Sequence, residues 1–258
     1  MKTTKNFPCL CAKDLLQCFY EVKMMKIKVM SFNVLHCEAW KENRIDFDAF
    51  AKAILDSGAD IIGLNEMRGK GTREDYQAQA EILAEKTGFS YYFAKAIDVD
   101  GTNPYGNALL SRYPLKNART VKIPDPLVRI GGRFETRCLL KADVDVGDGL
   151  TVLVTHFGLE KSEQKNAVKT VLANLGAEKL ILMGDFNVTP ENTVLDPIRK
   201  KLNDAADLFT APLRSFPSDA PDCKIDYIFA SPAVKILSAD IPALVLSDHR
   251  PHIAEIEI

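Results

Sequence analysis

The stretch LILMGDFN, residues 180–187, decides the fold of this chain. Its four leading apolar residues predict a strand buried on both faces, which leads directly into Gly184. Because side chains alternate along an extended chain, Asp185 and Asn187 point to the same side while Phe186 points back into the core. The strand therefore delivers a carboxylate and an amide to its end. An ordinary strand followed by an Asx-rich turn gives the same pattern, so the rest of the chain has to decide whether these groups are catalytic.

Length and composition indicate one globular domain. The chain has 258 residues and no linker rich in proline, glycine or serine. It is 47% hydrophobic and 26% charged, which is typical of a soluble protein, and no apolar run is long enough to span a membrane. The net charge of −2 gives no bulk attraction to polyanions, although it does not exclude a local basic rim.

The cysteines and the first residues of the chain bear on its location. The six cysteines are Cys9, Cys11, Cys18, Cys37, Cys138 and Cys223. Their spacing matches no zinc site, so free thiols in a reducing cytoplasm are the simplest interpretation. Charged residues interrupt the apolar part of the N-terminal segment, which argues against a signal peptide. We predict a leader of uncertain order over residues 1–24, with a membrane-surface helix over 14–22 as the alternative, and a single domain over 25–258.

Helical and strand periodicities alternate along the chain, which predicts an α/β (α+β) fold. Helices are predicted over residues 44–57, 73–87, 163–175 and 191–202. Strands are predicted over 27–31, 60–64, 90–94, 108–111, 118–123, 136–144, 150–155, 180–183, 225–230, 234–239 and 254–258. Two units share the order helix, Gly-Ala turn, buried strand and acid, and they end at Glu66 and Asp185. They predict two similar sheets packed face to face, with helices outside and the acidic strand ends along one edge.

Polar residues recur at the ends of these predicted strands. They are Asn33, Glu66, His156, Asp185, Asn187, Asp226, Asp248 and His249. Carboxylates and amides without a cysteine cluster suit Mg²⁺ or Mn²⁺ rather than structural zinc. Each residue taken alone is better explained by a turn, a cap or a solvated end. Those explanations do not account for the repeated placement of polar residues directly after buried strands.

The four histidines divide into two pairs. His156 follows a predicted strand, and His249 follows Asp248. Either ring could move protons once a neighbouring carboxylate fixes its tautomer. Asp226 or Asp248 could supply that carboxylate. His36 and His252 are interpreted as surface or packing residues.

Seven short motifs support a catalytic interpretation. They are SFNVLH (31–36), LNE (64–66), GNALLSR (106–112), VTHFGL (154–159), GDFNVTP (184–190), KIDYIFA (224–230) and LSDHRP (246–251). In this order they resemble the motifs of the endonuclease/exonuclease/phosphatase (DNase I-like) superfamily, which includes nucleases, neutral sphingomyelinases, inositol-polyphosphate 5-phosphatases and deadenylases. The resemblance covers roughly residues 26–258. It implies a four-layer sandwich of two packed mixed β-sheets flanked by helices, which agrees with the two sheets inferred above.

The resemblance also implies a metal site and a water site. Glu66 would be the principal ligand of a catalytic Mg²⁺, with Mn²⁺ as the other candidate ion. Asn33 would lie beside it, and Asp248 would complete or orient the metal shell. Asp185 and Asn187 would hold the attacking water and the phosphoryl oxygens.

The remaining positions are implied to handle protons and the phosphate. His249 would be the base or the transition-state contact, oriented by Asp226. His156 would donate to the phosphate or assist the leaving group. Asn107, in GNALLSR, and Arg137 are candidate contacts to the substrate phosphate, although a structural ion pair is the alternative for Arg137.

These observations predict a divalent-metal-dependent phosphoesterase acting on a phosphodiester or phosphomonoester. His156 stands where abasic-site endonucleases usually carry tyrosine, and the chain lacks obvious basic arms. A small phosphorylated molecule or head group is therefore favoured as substrate over nucleic acid. A DNA or RNA nuclease of the same superfamily and a non-catalytic binding module on the same fold are the two alternatives.

Overall fold

The computed structural model describes residues 24–258 and contains two six-stranded β-sheets. The leader predicted over residues 1–24 falls, except for Met24, outside the described residues. The first sheet has the order β13-β14-β1-β4-β6-β5, and the second has the order β11-β12-β10-β9-β8-β7. β1 runs parallel to β4 and β9 runs parallel to β10, whereas the other neighbours are antiparallel, so both sheets are mixed.

The strands and helices have the following bounds. The first sheet consists of β1 (Lys26–Asn33), β4 (Ile61–Arg68), β5 (Ser90–Val99), β6 (Asn103–Ser111), β13 (Lys235–Asp240) and β14 (His252–Glu257). The second consists of β7 (Leu115–Lys122), β8 (Cys138–Val144), β9 (Leu150–His156), β10 (Leu180–Asp185), β11 (Asn203–Asp204) and β12 (Asp226–Ala230). β2 (Glu38–Ala39) and β3 (Arg44–Ile45) form a small hairpin. The helices are α1 (Phe47–Ser57), α2 (Gln79–Thr87), α3 (Lys161–Leu172) and α4 (Asp196–Arg199), with 3-10 turns at Leu35–Cys37, Thr193–Leu195 and Ala205–Leu208.

Three apolar layers hold the sandwich together. The middle layer joins the two sheets and contains, for example, Val29 of the first sheet and Met183 of the second. The second layer packs the outer face of the first sheet against α1 and α2. The third layer packs the second sheet against α3 and α4, with Phe186 at its centre. Burial of apolar surface on both faces of each sheet produces the predicted four-layer sandwich, which is confirmed.

Several predicted helix boundaries were wrong. The helix predicted from residue 44 begins at Phe47, because Arg44–Ile45 pairs with β2 and the Asp46 side chain then caps the helix by accepting the N–H of Ala49. The helix predicted from 73 begins at Gln79, after a turn closed by Tyr76. The segment 191–202 forms a 3-10 turn and then one short helix.

The helices and the cysteines of the described residues bear on membrane insertion and on disulfide bonding. Within residues 24–258, no helix is both long enough and apolar enough to cross a membrane. The three cysteines in this range, Cys37, Cys138 and Cys223, are free thiols.

Candidate active site

The two sheets bring their polar strand ends to one edge of the sandwich. β1 and β4 supply Asn33 and Glu66 from the first sheet. In the second sheet, Asp185 at the end of β10 lies between His156 of β9 and Asp226 of β12 in the strand register. Parallel neighbouring strands end on the same side of a sheet, so this edge is where ligand-binding groups are expected.

Glu66 owes its direction to an irregularity in β4. The predicted strand 60–64 continues to Arg68, so Glu66 lies inside the strand rather than after it. The register against β6 shifts between Leu64 and Met67, and Glu66 has a positive φ of 60°. A bulge of this kind redirects a side chain at a sheet edge. It turns the Glu66 carboxylate toward the second sheet.

Asn33 connects the carboxylates of the two sheets. Its Nδ2 donates to Glu66 Oε1 at 3.0 Å and to Asp185 Oδ2 at 3.1 Å. The side-chain amide is fully buried, and its Oδ1 accepts the N–H of Leu35 at 3.2 Å. Asn33 thus fixes the spacing between two acids that come from different sheets.

His249 lies between two carboxylates. Its Nδ1 is 2.9 Å from Asp226 Oδ2, and its Nε2 is 3.7 Å from Asp185 Oδ2. Burial lowers the pKa of this imidazole, but Asp226 and Asp185 outweigh burial and raise the pKa to about 10. His249 is therefore a cation at neutral pH. Asn33, Glu66, Asp185, Asp226 and His249 are called the central cluster below.

His156 is held in one tautomer by Arg137. The Arg137 guanidinium, which can only donate, lies 2.9 Å from His156 Nδ1, so Nδ1 accepts and Nε2 carries the proton of the neutral ring. That Nε2 faces Asp185 Oδ2 at 3.4 Å and lies 3.1 Å from Asn187 Nδ2, which can only donate, so the proton on Nε2 is directed at Asp185 and not at Asn187. Asn187 is adjacent, and its Nδ2 donates to the carbonyl oxygen of Phe157 at 2.9 Å while its backbone N–H donates to Asp185 Oδ1 at 2.9 Å.

The acids of this edge respond differently to their surroundings. Burial raises the pKa of Asp185, but the charge of His249 and the hydrogen bond from His156 hold it well below its ordinary value. Burial likewise opposes ionisation of Glu66, yet His156 and the Asn33 hydrogen bond lower the pKa of that carboxyl. The pKa of Asp248 is instead raised, by burial and by the charges of Glu66 and Asp185. Burial is the larger cause of the raised pKa of Asp248, and the negative charge of Glu66 adds to it.

The carboxylates of Glu66 and Asp248 are suited to a hard divalent ion. Glu66 Oε1 is used by Asn33, which leaves Oε2 for an ion, and Asp248 adds negative charge nearby. Oxygen donors of this type suit Mg²⁺ or Mn²⁺. Within the described residues, Asp185, Asp226 and His249 also place possible ligand atoms within 4.8 Å of one another. We interpret that group as an ion pair around His249 rather than as a metal shell, because the imidazole already serves two carboxylates.

Asn65 and Asn107 form a support behind the site. Asn65 Nδ2 donates to Asn107 Oδ1 and to the carbonyl oxygen of Thr155, both at 2.9 Å, and its Oδ1 accepts the N–H of Asp185 at 2.9 Å. Asn107 is buried and its Nδ2 donates to the carbonyl oxygen of Cys138 at 3.1 Å. The structure thus places Asn107 behind the site, as a brace between the sheets.

Two residues outside the predicted set lie at the site. His36 Nδ1 is 2.9 Å from the carbonyl oxygen of Glu66, and burial lowers the pKa of this imidazole. Asn65 is the other. Both positions lie inside the motifs SFNVLH and LNE, so their nearness in sequence to Asn33 and Glu66 was the available signal. His252, by contrast, is fully buried beside Phe209, as a packing residue.

The chain belongs to the endonuclease/exonuclease/phosphatase family, whose sequence model matches residues 30–249. It is similar in structure to an endonuclease/exonuclease/phosphatase from Bacteroides vulgatus, with a TM-score of 0.73 and 21% identity over 91% of this chain and 99% of that one. For a mannosyl-6-phosphatase from Bacteroides thetaiotaomicron VPI-5482, the TM-score is 0.71 and the identity 17%, over 89% of this chain and 99% of that one.

A third similar structure is D. rerio TDP2 complexed with a single-strand DNA product, with a TM-score of 0.65 and 14% identity over 90% of this chain and 98% of that one. At these identities the likeness establishes the fold. The family includes both phosphatases and nucleases. No curated protein sequence gives a significant match to this chain. The resemblance noted in the sequence motifs is therefore confirmed at the level of family.

Proposed function

We propose that this chain is a divalent-metal-dependent phosphoesterase and that the central cluster is its active site. The observation that carries the proposal is the cationic His249 held between Asp226 and Asp185, with Asn33 joining Asp185 to the carboxylate of Glu66. Phosphoester hydrolysis requires a positioned water and positive charge at the phosphoryl oxygens, and this arrangement supplies groups for both tasks.

Glu66 and Asp248 would hold the metal ion, with Asn33 beside them. When bound, the ion supplies positive charge to a phosphoryl oxygen and lowers the pKa of a coordinated water. Asn33 would keep Glu66 and Asp185 at a fixed separation through the two hydrogen bonds of its amide. Its Oδ1 accepts the N–H of Leu35 and keeps a second lone pair that an ion could use.

The remaining polar residues would act on the substrate directly. His249 carries a proton at neutral pH, so we assign it the transition-state contact rather than the role of base. Asp185 stays ionised and can accept a hydrogen bond from the attacking water. His156, with its proton on Nε2, would donate to the phosphate or the leaving group. Asn187 would hold a phosphoryl oxygen, and Arg137 would act by fixing the tautomer of His156.

We favour a small phosphorylated molecule or head group as the substrate. A polyanion requires several free cations along its path, because each neutralised phosphate adds to the binding energy. Arg129 is paired with Asp125 at 2.8 Å, and Lys224 is buried with its Nζ 3.3 Å from the centre of the Tyr227 ring. A nuclease remains the second candidate because the family contains nucleases and because Arg137 lies at the site. The third is a non-catalytic binding module.

Hydrolysis of an aryl phosphodiester and of the matching monoester tests the proposal. The purified protein is assayed with Mg²⁺, with Mn²⁺ and with EDTA, and we expect turnover that EDTA abolishes. Faster monoester turnover supports a metabolite phosphatase, and faster diester turnover directs the search to phospholipids and nucleic acids. A steep loss of oligonucleotide affinity with salt would identify the nuclease. Absence of turnover with either metal ion would refute the phosphoesterase and leave the binding module.

A further inference from the structure

His36 lies in a backbone turn that is unusual for non-glycine residues. Leu35, His36 and Cys37 all have positive φ, at 43°, 58° and 58°. Such conformations persist only where the surroundings hold them, and they cluster at functional sites. Here Asn33 accepts the N–H of Leu35, and Gln79 donates to the carbonyl oxygen of His36 at 2.7 Å.

Gln79 is the brace that makes the turn rigid. Its side chain is fully buried at the start of α2, and its Oε1 accepts the N–H of Arg68 at 2.8 Å. One side chain therefore ties the turn to the end of β4, which carries Glu66. The fixed turn aims the His36 ring at Glu66, and the ring of Tyr105 packs against His36 at 5.6 Å between centroids.

The hydrogen bond of the His36 ring fixes where its lone pair points. His36 Nδ1 lies 2.9 Å from the carbonyl oxygen of Glu66, and a carbonyl oxygen can only accept. Nδ1 therefore carries the hydrogen, and Nε2 of the neutral ring presents a lone pair. That Nε2 is 3.7 Å from Glu66 Oε2, the carboxylate oxygen that Asn33 does not use. A lone pair of His36 Nε2 and the carboxylate oxygen Glu66 Oε2 thus face each other.

We propose that His36 Nε2 and Glu66 Oε2 bind one divalent ion together, and that the nitrogen ligand makes this site favour a transition-metal dication over Mg²⁺. Bonds of ~2.0–2.2 Å allow two ligand atoms of one ion to lie as much as ~4 Å apart, so both side chains can reach the same ion with little movement. Imidazole nitrogen suits transition metals such as Zn²⁺, Fe²⁺ and Ni²⁺, whereas Mg²⁺ prefers oxygen ligands. The inference rests on the proposed function, because it adds a ligand to the metal site proposed there.

Mn²⁺ is a suitable probe because it is paramagnetic. Wild-type protein, His36→Gln and the exposed control Lys70→Gln are titrated with Mn²⁺ by electron paramagnetic resonance, and Mg²⁺ is added as competitor. We expect His36→Gln to weaken Mn²⁺ binding about ten- to a hundredfold while Mg²⁺ affinity changes little, and Lys70→Gln to match wild type. Pulsed measurements should show ¹⁴N coupling to bound Mn²⁺ in wild type and its loss in His36→Gln.

The pulsed experiment separates this inference from the proposed function. Bound Mn²⁺ without nitrogen coupling in wild-type protein overturns the role of His36 and leaves a metal site made of oxygen ligands. Nitrogen coupling that persists in His36→Gln assigns the ligand to another histidine and also overturns the inference. Failure of wild-type protein to bind Mn²⁺ or Mg²⁺ at all removes the metal site itself. If His36→Gln does not fold, absence of nitrogen coupling in wild type still overturns the inference. Coupling that survives in both His156→Gln and His249→Gln then assigns the nitrogen ligand to His36, and its loss in either variant overturns the inference.

Discussion

The paired carboxylates around His249 permit a quantitative prediction for Asp226→Asn. A rise in the His249 pKa from 6.5 to about 10 corresponds to about 5 kcal/mol favouring the protonated ring, at about 1.4 kcal/mol per pH unit. With an effective dielectric constant of ~20, a charge at the 2.9 Å of Asp226 contributes roughly 6 kcal/mol, and one at the 3.7 Å of Asp185 roughly 4 kcal/mol. Burial opposes both. Loss of Asp226 therefore removes more electrostatic free energy than the net amount that favours the protonated His249 ring. The pKa of His249 should consequently fall to 6.5 or below.

The pH dependence of stability follows from the same numbers. Because the folded pKa is raised, the stabilisation is fully present below pH 6.5 and is lost as pH rises toward about 10. The free energy of unfolding of the wild-type protein should therefore exceed that of Asp226→Asn most at pH 6, and the difference should shrink by pH 10.

Nuclear magnetic resonance of the histidine rings, in EDTA, measures the titration directly. We expect His249 to titrate near pH 10 in the wild-type protein and near or below pH 6.5 in Asp226→Asn. Asp148→Asn is the matched control, because that carboxylate pairs with Lys179 at an exposed position away from the cluster and should leave His249 unchanged. Titration of the wild-type His249 between pH 6 and 7 would refute the electrostatic account.

Three further substitutions test the fold and the support of the site. Phe186→Ala should lower the free energy of unfolding, measured in urea, by about 3–5 kcal/mol. The buried Phe186 ring packs on Phe157 and Tyr227, with ring centroids 4.5 Å and 5.2 Å apart. A loss below ~1 kcal/mol would contradict that packing. Gly184→Ala should destabilise the protein by about 3 kcal/mol or more, because the added methyl group would collide with the carbonyl oxygen of Thr155. Gly176→Ala is the control, because its methyl group enters open space. Equal melting temperatures for the two variants would disprove the argument. Arg137→Met should reduce kcat roughly ten- to a hundredfold by freeing the tautomer of His156, and an unchanged pH profile of kcat would count against that role.

The sequence was sufficient for the layers of the fold because they follow from periodicity. The apolar run before Asp185 and the helix that ends at Gly58 lie where their patterns place them. The bulge at Glu66 could not be predicted, because it depends on pairing with β6, a strand more than thirty residues away. The turn before residue 79 was missed for a similar reason, since Gln79 reads as a helix-interior residue until its buried contacts are known.

The sequence motifs grouped the candidate site residues that the structure brings together, but they gave no distances between them. The motif order implied that Asn33, Asp185 and His249 belong to one site. Their distances depend on long-range contacts such as that from Asn33 to Asp185, which spans 152 residues of the chain. His36 was interpreted as a surface or packing residue because one histidine beyond a strand carries no pattern of its own. The three consecutive positive φ angles of Leu35, His36 and Cys37 are a property of the folded chain only.

The most direct test of the central claim compares phosphoester hydrolysis by wild-type protein, Glu66→Gln and the exposed control Glu42→Gln. With Mg²⁺ or Mn²⁺ present, we expect wild type and Glu42→Gln to turn over the aryl phosphoester equally. Glu66→Gln should lose at least ~10³-fold in kcat/KM while its melting temperature in EDTA stays within a few degrees of wild type, because the variant removes charge at the metal and not packing. Full turnover by Glu66→Gln, or wild-type turnover that persists in EDTA, would contradict the assignment of the central cluster as a metal-dependent active site.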